Sequence, residues 1–366
     1  MRGQDEQQTV LYSYKNVEDR IPDNHPLRSI RPMMDRSLEE LSPLFDAHYA
    51  STGRTSIPPE RLLRALLLQV LYSIRSERQL MEHLNYNLLY RWFVGLNPDD
   101  EIWDVTVYTK NRERMIEMGA SQKLLEAVVK QAEEANLLSA EHFTVDGTLI
   151  QAWANRGSFQ AKDPETVTGT GARGKKLLRD THESKTDEEA RLYSKGGPSV
   201  PSFIGHVVME NRSGLAVGGC GTKSSKTAEG EAALKMLEEL PRPIDPETGQ
   251  PRAITVGADK GYQSKSFIEG ARKLKVVPHV AEYEPNPKWP NFLTEEERQD
   301  PGFGISQSKR KSIEKIFGWG KQERAVKQTK LRGEKRVDWG FRLTLVGYNL
   351  VRMVKLLQPR NPVPVQ

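Results

Sequence analysis

The sequence contains a single cysteine, Cys220, in 366 residues. That excludes a disulfide framework and a thiolate metal centre. No apolar run approaches the ~20 residues that span a bilayer, and the opening "MRGQDEQQTV" lacks the apolar stretch of a secretory signal. No phosphate loop ending in Lys-Ser/Thr is present, so a nucleotide cofactor is not expected. Internal repeats and low-complexity tracts are also missing. The expectation is a soluble, cytoplasmic protein, without a membrane partner and long enough for two domains.

What the chain does have is charge, and it is local. Of its residues 28% are charged and 37% apolar, with a net charge of +5 and a pI near 9.0. Between Ile305 and Arg336 stand eleven Lys or Arg against three Glu, a net +8 that leaves −3 for the remainder. One basic segment on an otherwise mildly acidic chain is the pattern of a phosphate-tracking face. A solvated, lysine-rich helix gives the same count.

Two periodicities divide the rest. "SIPPERLLRALLLQVLYSIRS" reads as a helix with Pro58 and Pro59 at its first turn and a broad apolar face. Ser76 offers a fresh N-cap with Gln79 as its capping-box partner. "NLLYRWFVGL", "WDVTVYTKNRERMIEMG" and "QKLLEAVVKQAEEANLL" continue the helical trend, so 55–137 reads as all-helical. The preceding 1–54 is polar and contains proline, with "VEDRIPDNHPLRSIRPMMDRSL" expected as a wrapping segment before a helix. From Glu141 the period shortens. "HFTVDGTLIQAWA" and "SFIGHVVMENRSGLAVGGCGT" are strand-rich, the second turning between Asn211 and Gly214. A helix capped by Thr227, the buried strand "AITVGAD", the helix "SKSFIEGARKLK", the strand "VVPHVAEY" and two further helices follow. This order describes a mixed α/β domain. Residues 160–200 are polar and Gly-rich, expected to form a loop or insertion.

Two aspartates stand out among the strands. Asp146 sits in "FTVDGTLI" and Asp259 ends "AITVGAD". Each also has a plain reading: Asp-Gly is a favoured hairpin turn, and Asp259 can cap the helix after its strand. A third acid, Glu314, lies in "SKRKSIEKIFGWGKQ" among bases. At about 100° per residue, Arg310, Glu314 and Lys321 share one ridge of a helix, beside an apolar stripe carrying Ile313 and Ile316. An ordinary i, i+4 ion pair accounts for the same spacing. Taken together, the three acids have the arrangement that holds two divalent ions for phosphodiester chemistry. Hard carboxylate oxygens suit Mg²⁺, and two ions about 3.5–4 Å apart serve the attacking and leaving oxygens. Arg310 and Lys321 on the same ridge would hold flanking phosphates.

The blocks "TVDGTLI", "VGADKGYQS" and the Arg-x3-Glu-x6-Lys spacing of Arg310, Glu314 and Lys321 resemble the DDE transposases of bacterial insertion sequences, most closely the insertion sequence five family. "YSIRSERQLMEHLNYNLLYRWFVGL", "FIGHVVMENRSGLAVG" and "GYNLVRMVKLL" resemble further blocks, so the likeness runs from about His25 to Leu357. It implies a ribonuclease H-like catalytic core over 140–358, a mixed sheet flanked by helices, with 160–200 as its polar insertion. It also implies a helical DNA-binding domain over 55–137 and a tail at 359–366. The metal-binding and catalytic triad is then Asp146, Asp259 and Glu314, with two Mg²⁺ ions, for which Mn²⁺ would substitute. The partners are double-stranded DNA, at the element's inverted repeats and at a target site, and a second copy of the chain, in a dimer or higher assembly. Members cleave DNA and join the freed 3′-OH to the target. This chain departs from the family at Gln307, where a Tyr is usual three residues before the Arg.

DNA contacts are expected at Arg310, Lys321, Lys309, Lys311, Lys315, Arg324 and Trp319, the last flanked by two glycines. Trp92 and Trp103 can also stack on bases, although a core role suits Trp92 better. His206, at alternating strand spacing, reads as structural. The helices over 58–84 fit either a helix-turn-helix reader or simple bundle packing. Two rivals remain: a metal nuclease of the same fold that does not join, and a DNA-binding protein that keeps the fold without catalysis. If the 305–336 face neutralises phosphates, DNA affinity measured across a salt series should fall with a log–log slope near −0.9 per contact. A flat response would remove that face from the interface.

Overall fold

The computed structural model of the chain describes residues 16–50, 52–53, 55–139, 141–162, 182–284, 290–322 and 326–358. Its first half is helical. Helices α1 (Pro26–Glu40) and α2 (Ser42–His48) occupy much of the stretch expected as a wrapping segment before the first helix. Local polarity hid them: α1 buries only Leu27, Ile30, Met34, Ser37 and Leu38, one narrow stripe. Then come α3 (Pro59–Leu71), α4 (Glu77–Tyr86), α5 (Leu88–Val94), α6 (Val105–Glu117) and α7 (Ala120–Glu134). Pro59 opens α3 and Pro58 directly precedes it, the two prolines standing at the helix start as expected. Ser76 accepts the Gln79 amide at the start of α4, but the Gln79 side chain takes the Arg75 N–H instead of closing a capping box.

The second half builds a sheet. In chain order its strands are β1 (His142–Gln151), β2 (Phe159–Ala161), β3 (His182–Ser184), β4 (Arg191–Tyr193), β5 (Val200–Glu210), β6 (Ala216–Lys223), β7 (Ile254–Ala258) and β8 (Val276–Val280). β2 and β3 pair only with each other. In the main sheet β1 runs antiparallel to β5 and parallel to β7, and β7 parallel to β8. The outer edge of β5 is shared by β4 and β6, both antiparallel to it. Nearly every residue of β5 is buried, which is why "FIGHVVM" reads as an apolar run rather than an alternation. The expected turn joins β5 to β6, with Gly214 at φ +72°. The 160–200 segment is therefore more than a loop, since its described second half supplies β3 and β4.

Helices cover both faces. On one face α8 (Ala228–Glu239) and α9 (Lys265–Lys273) pack Ala233, Met236, Leu237, Phe267 and Ile268 onto Phe143, Val145 and Val208. α8 is capped by Ser225, whose Oγ accepts the Ala228 N–H; Thr227 makes no such bond. The short α10 (Glu295–Gln299) leads to α11 (Phe303–Arg310), a one-turn 3₁₀ segment (Lys311–Ile313) and α12 (Glu314–Gln322).

The last helix, α13 (Glu334–Leu357), covers the other face. Gly205, Gly219 and Gly221 let it approach closely. A Cβ at Gly205 would lie 2.5 Å from the Phe341 ring, and one at Gly221 would lie 3.0 Å from Asp338 Cα. Asn349 donates to the Ala216 carbonyl and accepts its N–H, so α13 also satisfies the edge strand β6. The start of α13 is held by the insertion: Asp187 accepts the Gly333 N–H and Glu189 accepts the Glu334 N–H. On its far side α13 packs against α1, α3 and α7. One cluster of buried side chains accordingly runs from the helical half onto this face of the sheet, and a second lies under α8 and α9 on the other face.

Filling the α13 interface should be costly. Gly205→Val is expected to lower stability by about 1–3 kcal/mol, the usual cost of overpacking, as a shift of the urea midpoint. An unchanged midpoint would show that α13 is not pressed against the sheet there.

Candidate metal and nucleic-acid site

Asp146 lies in the middle of β1, paired with Val207 of β5, so the hairpin-turn alternative for Asp-Gly is excluded. It shares a face with Thr144, which pairs with Gly257 of β7. Continuing that register by two residues brings Asp146 beside Asp259, the residue just past the carboxyl end of β7. Asp259 also does what its plain reading proposed, accepting the Gly261 N–H at 2.8 Å to cap a single 3₁₀ turn.

Asp146 is 7% exposed. Burial pushes its carboxyl up to about 6, and Asp259 and Glu229 nearby add to the rise. Lys195 and the Gly147 N–H, which donates to Oδ1 at 2.7 Å, oppose it. Lys195 Nζ lies 3.6 Å from Asp146 Oδ1 and 2.8 Å from Glu229 Oε1. In the sequence Lys195 reads, with His182 and Asp187, as part of a solvated polar loop that could order on DNA, and Glu229 does not stand out. The lysine lies in a polar turn, and the glutamate reads as an ordinary first-turn acid of a helix.

The helical arm carrying the third acid differs from the regular ridge expected. The 3₁₀ segment Lys311–Ile313 interrupts it, so Arg310 ends one helix and Glu314 begins the next. Glu314 is exposed. Among the described residues no three His, Cys, Asp or Glu side chains stand close enough to hold a metal ion jointly. The fold brings Asp146 and Asp259 together and leaves Glu314 outside that cluster. The donor chemistry of the two aspartates fits a hard divalent ion.

Gln307, at the family's Tyr position, has a defined task. Its amide donates to the carbonyls of Ala258 and His279, at the carboxyl ends of β7 and β8, and its Oε1 accepts from Arg310 Nε at 3.3 Å. It thus ties α11 across the strand ends beside Asp259 and holds the Arg310 side chain by one hydrogen bond. A phenol, with one O–H, cannot donate to both carbonyls.

Lys309, Lys311, Lys315 and Lys321 are exposed, as a phosphate-facing set requires; Arg324 lies outside the described residues. Trp319 is half-buried: its indole packs edge-on against Tyr348, ring centroids 5.9 Å apart, and lies over Gly347, at the edge of the core around α13. Trp92 is buried as expected, under the Arg31 guanidinium, and Trp103 stacks on Tyr108. His206 is buried, with Nε2 2.8 Å from Thr222 Oγ1 and its pKa lowered to about 3 by burial, a structural histidine. α3 buries most of its length in the helical layer, which is bundle packing.

A sheet of this strand order, with acids on its first strand and at the end of the parallel neighbour, defines a ribonuclease H-like fold. Residues 139–350 match the family described as "Transposase DDE domain", and residues 15–114 match "Transposase domain (DUF772)". The chain belongs to the DDE transposases of the insertion-sequence type: it is a DNA transposase, an enzyme of metal-dependent strand cleavage and transfer. No curated protein matches it. Among solved structures it is similar to a piggyBac transposase synaptic complex with hairpin DNA, at 10% identity and a TM-score of 0.41, over 92% of this chain and 77% of that one. It is also similar to a Mos1 transposase paired-end complex with the left transposon end, at 13% identity and a TM-score of 0.21, over 78% and 85%. No helix among the described residues is long and apolar enough to cross a membrane.

Because the pKa of Asp146 is raised above the ordinary 3.8, folding favours its protonated form. That stabilisation is complete below about pH 4 and is lost as pH rises through about 6. Asp146→Asn, which is always neutral, should match the parent near pH 4 and exceed it by about 1–3 kcal/mol near pH 8 in EDTA, read by chemical denaturation. Equal stability at both pH values would contradict the burial of a charged group.

Proposed function

We propose that Asp146, Asp259 and Glu314 are the metal-binding catalytic residues of this transposase, and that two Mg²⁺ ions, replaceable by Mn²⁺, are the metals they hold. The observation that carries this reading is the side-by-side placement of Asp146 and Asp259 at the carboxyl end of the parallel strands. Bound there, divalent ions would activate an attacking oxygen and stabilise a leaving one on the DNA backbone. Asp146 supplies a carboxylate that is mostly ionised at neutral pH despite its burial. Asp259 supplies a second from a backbone position fixed by its own capping bond. Glu314, at the head of α12, completes the set by closing toward them, with Gln307 anchoring the preceding helix.

The exposed lysines 309, 311, 315 and 321 flank this site and would hold phosphates on either side. Arg310, hydrogen-bonded to Gln307, would position the phosphate being cut. The DNA bound is the pair of inverted repeats ending the chain's own element, and then a target duplex, as in the insertion sequence five family. The helices of 55–137 would grip the flanking DNA, and joining two ends calls for at least a dimer. The protein would work in the cytoplasm at the nucleoid.

Purified protein with Mg²⁺ and a DNA fragment carrying its own gene and both flanks should nick at a pair of inverted repeats, mapped to the nucleotide. Glu314→Ala should give no nicks. Cuts without strand transfer to a supplied target duplex would favour the non-joining nuclease. Tight DNA binding with no cuts by either protein would favour the binding protein.

A further inference from the structure

Between β4 and β5 the chain makes a tight turn, Lys195-Gly196-Gly197-Pro198, in which Gly196 takes φ +78°, a backbone conformation natural to glycine. The turn aims Lys195 back over β1. Its ammonium donates to the Gly147 carbonyl and to Glu229 Oε1, each at 2.8 Å, and lies 3.6 Å from Asp146 Oδ1. Two carboxylates and a carbonyl around one positive charge are the oxygen donors that a hard divalent ion takes. Glu229 reaches this point because residue 147 has no side chain: a Cβ there would stand 2.5 Å from Glu229 Oε1.

We propose that Lys195 is a resident counter-ion for Asp146, and that Lys195 and the catalytic divalent ion compete for that carboxylate, with Glu229 retaining the lysine once the ion arrives. The proposal rests on the reading of Asp146 as a metal ligand. The competition follows from charge and space. An ammonium 3.6 Å from Asp146 Oδ1 and an ion bonded to the same carboxylate would repel at close range in a site that is mostly buried. Glu229 makes the exchange local, since the lysine keeps its 2.8 Å bonds to Glu229 and Gly147 while giving up Asp146. In the metal-free protein the lysine offsets part of the negative charge of Asp146, Asp259 and Glu229, which would otherwise repel DNA. Metal loading then releases a positive charge next to the phosphate being cut. The polar insertion thereby acts directly on the metal site.

The test uses the full chain without DNA. Mn²⁺ is titrated calorimetrically into the parent protein, Lys195→Gln, Lys195→Arg and Asp146→Asn. Lys195→Gln should bind Mn²⁺ about tenfold more tightly, the low end of the effect of groups that surround metal ligands. It should also melt at a lower temperature in EDTA and recover at saturating Mn²⁺. Lys195→Arg, which keeps the charge, should stay close to the parent, and Asp146→Asn should lose the site. Acetic anhydride labelling of the unaltered protein gives a second reading that needs no variant: Lys195 should react faster with Mn²⁺ present than in EDTA. Unchanged or weaker Mn²⁺ binding by Lys195→Gln, or a labelling rate indifferent to Mn²⁺, would overturn the competition while leaving the metal site intact. If the parent protein bound no Mn²⁺, the metal assignment of Asp146 would fall, and the competition with it.

Discussion

The parallel pairing of β1 with β7 is the contact on which the site depends. It joins segments far apart in the chain through Thr144 and Gly257, and its register places Asp146 beside Asp259. Tight packing enforces that register. A Cβ at Gly257 would meet the Ser306 carbonyl at 3.3 Å and Thr144 Oγ1 at 3.4 Å, so the strand pair and α11 close on one another with little slack. Thr144 in turn donates to Asn211, at the β5–β6 turn, which locks the third strand into the same arrangement. A slip of one residue would turn Asp146 to the opposite face of the sheet.

Placing two acids side by side in a largely buried position is unfavourable, and the surrounding structure shows how the protein accommodates it. The Gly147 N–H and the Lys195 ammonium both lower the cost, yet burial still pushes the Asp146 carboxyl up to about 6. A divalent ion bound there, as proposed, would relieve that cost. The helices confirm the priority of the site over local regularity. α11 and α12 would form one continuous helix but for the 3₁₀ segment at Lys311–Ile313, and Gln307 holds the first of them to the carbonyls of Ala258 and His279.

The remainder of the fold supports this strand pair through α13. Its close seat over Gly205, Gly219 and Gly221 allows one helix to back the sheet and to receive α1, α3 and α7 on its other side. The helical and sheet halves therefore share a core rather than meeting as separate bodies. The insertion serves both ends of this plan. Asp187 and Glu189 hold the first turn of α13, and a few residues later Lys195 reaches Asp146.

Much of this was legible in the sequence because it follows from local rules. Periods of 3.6 and 2 separate helices from strands, the Asn211–Gly214 turn announces the β5–β6 hairpin, and Asp146, Asp259 and Glu314 are visible as acids at strand and helix positions. The same rules missed α1 and α2, whose apolar stripe is too narrow to register, and the 3₁₀ break before Glu314. They also left Trp319 open to a DNA role, because nothing near it in sequence reveals that Tyr348 lies alongside. By itself the sequence determined which residues carry charge and which elements they ride on, since those are properties of neighbouring residues. Only the tertiary structure decided which charges meet. Lys195 with Asp146, Glu229 over Gly147, and Gln307 across two strand ends are contacts between remote segments, set by register and close packing rather than by local pattern.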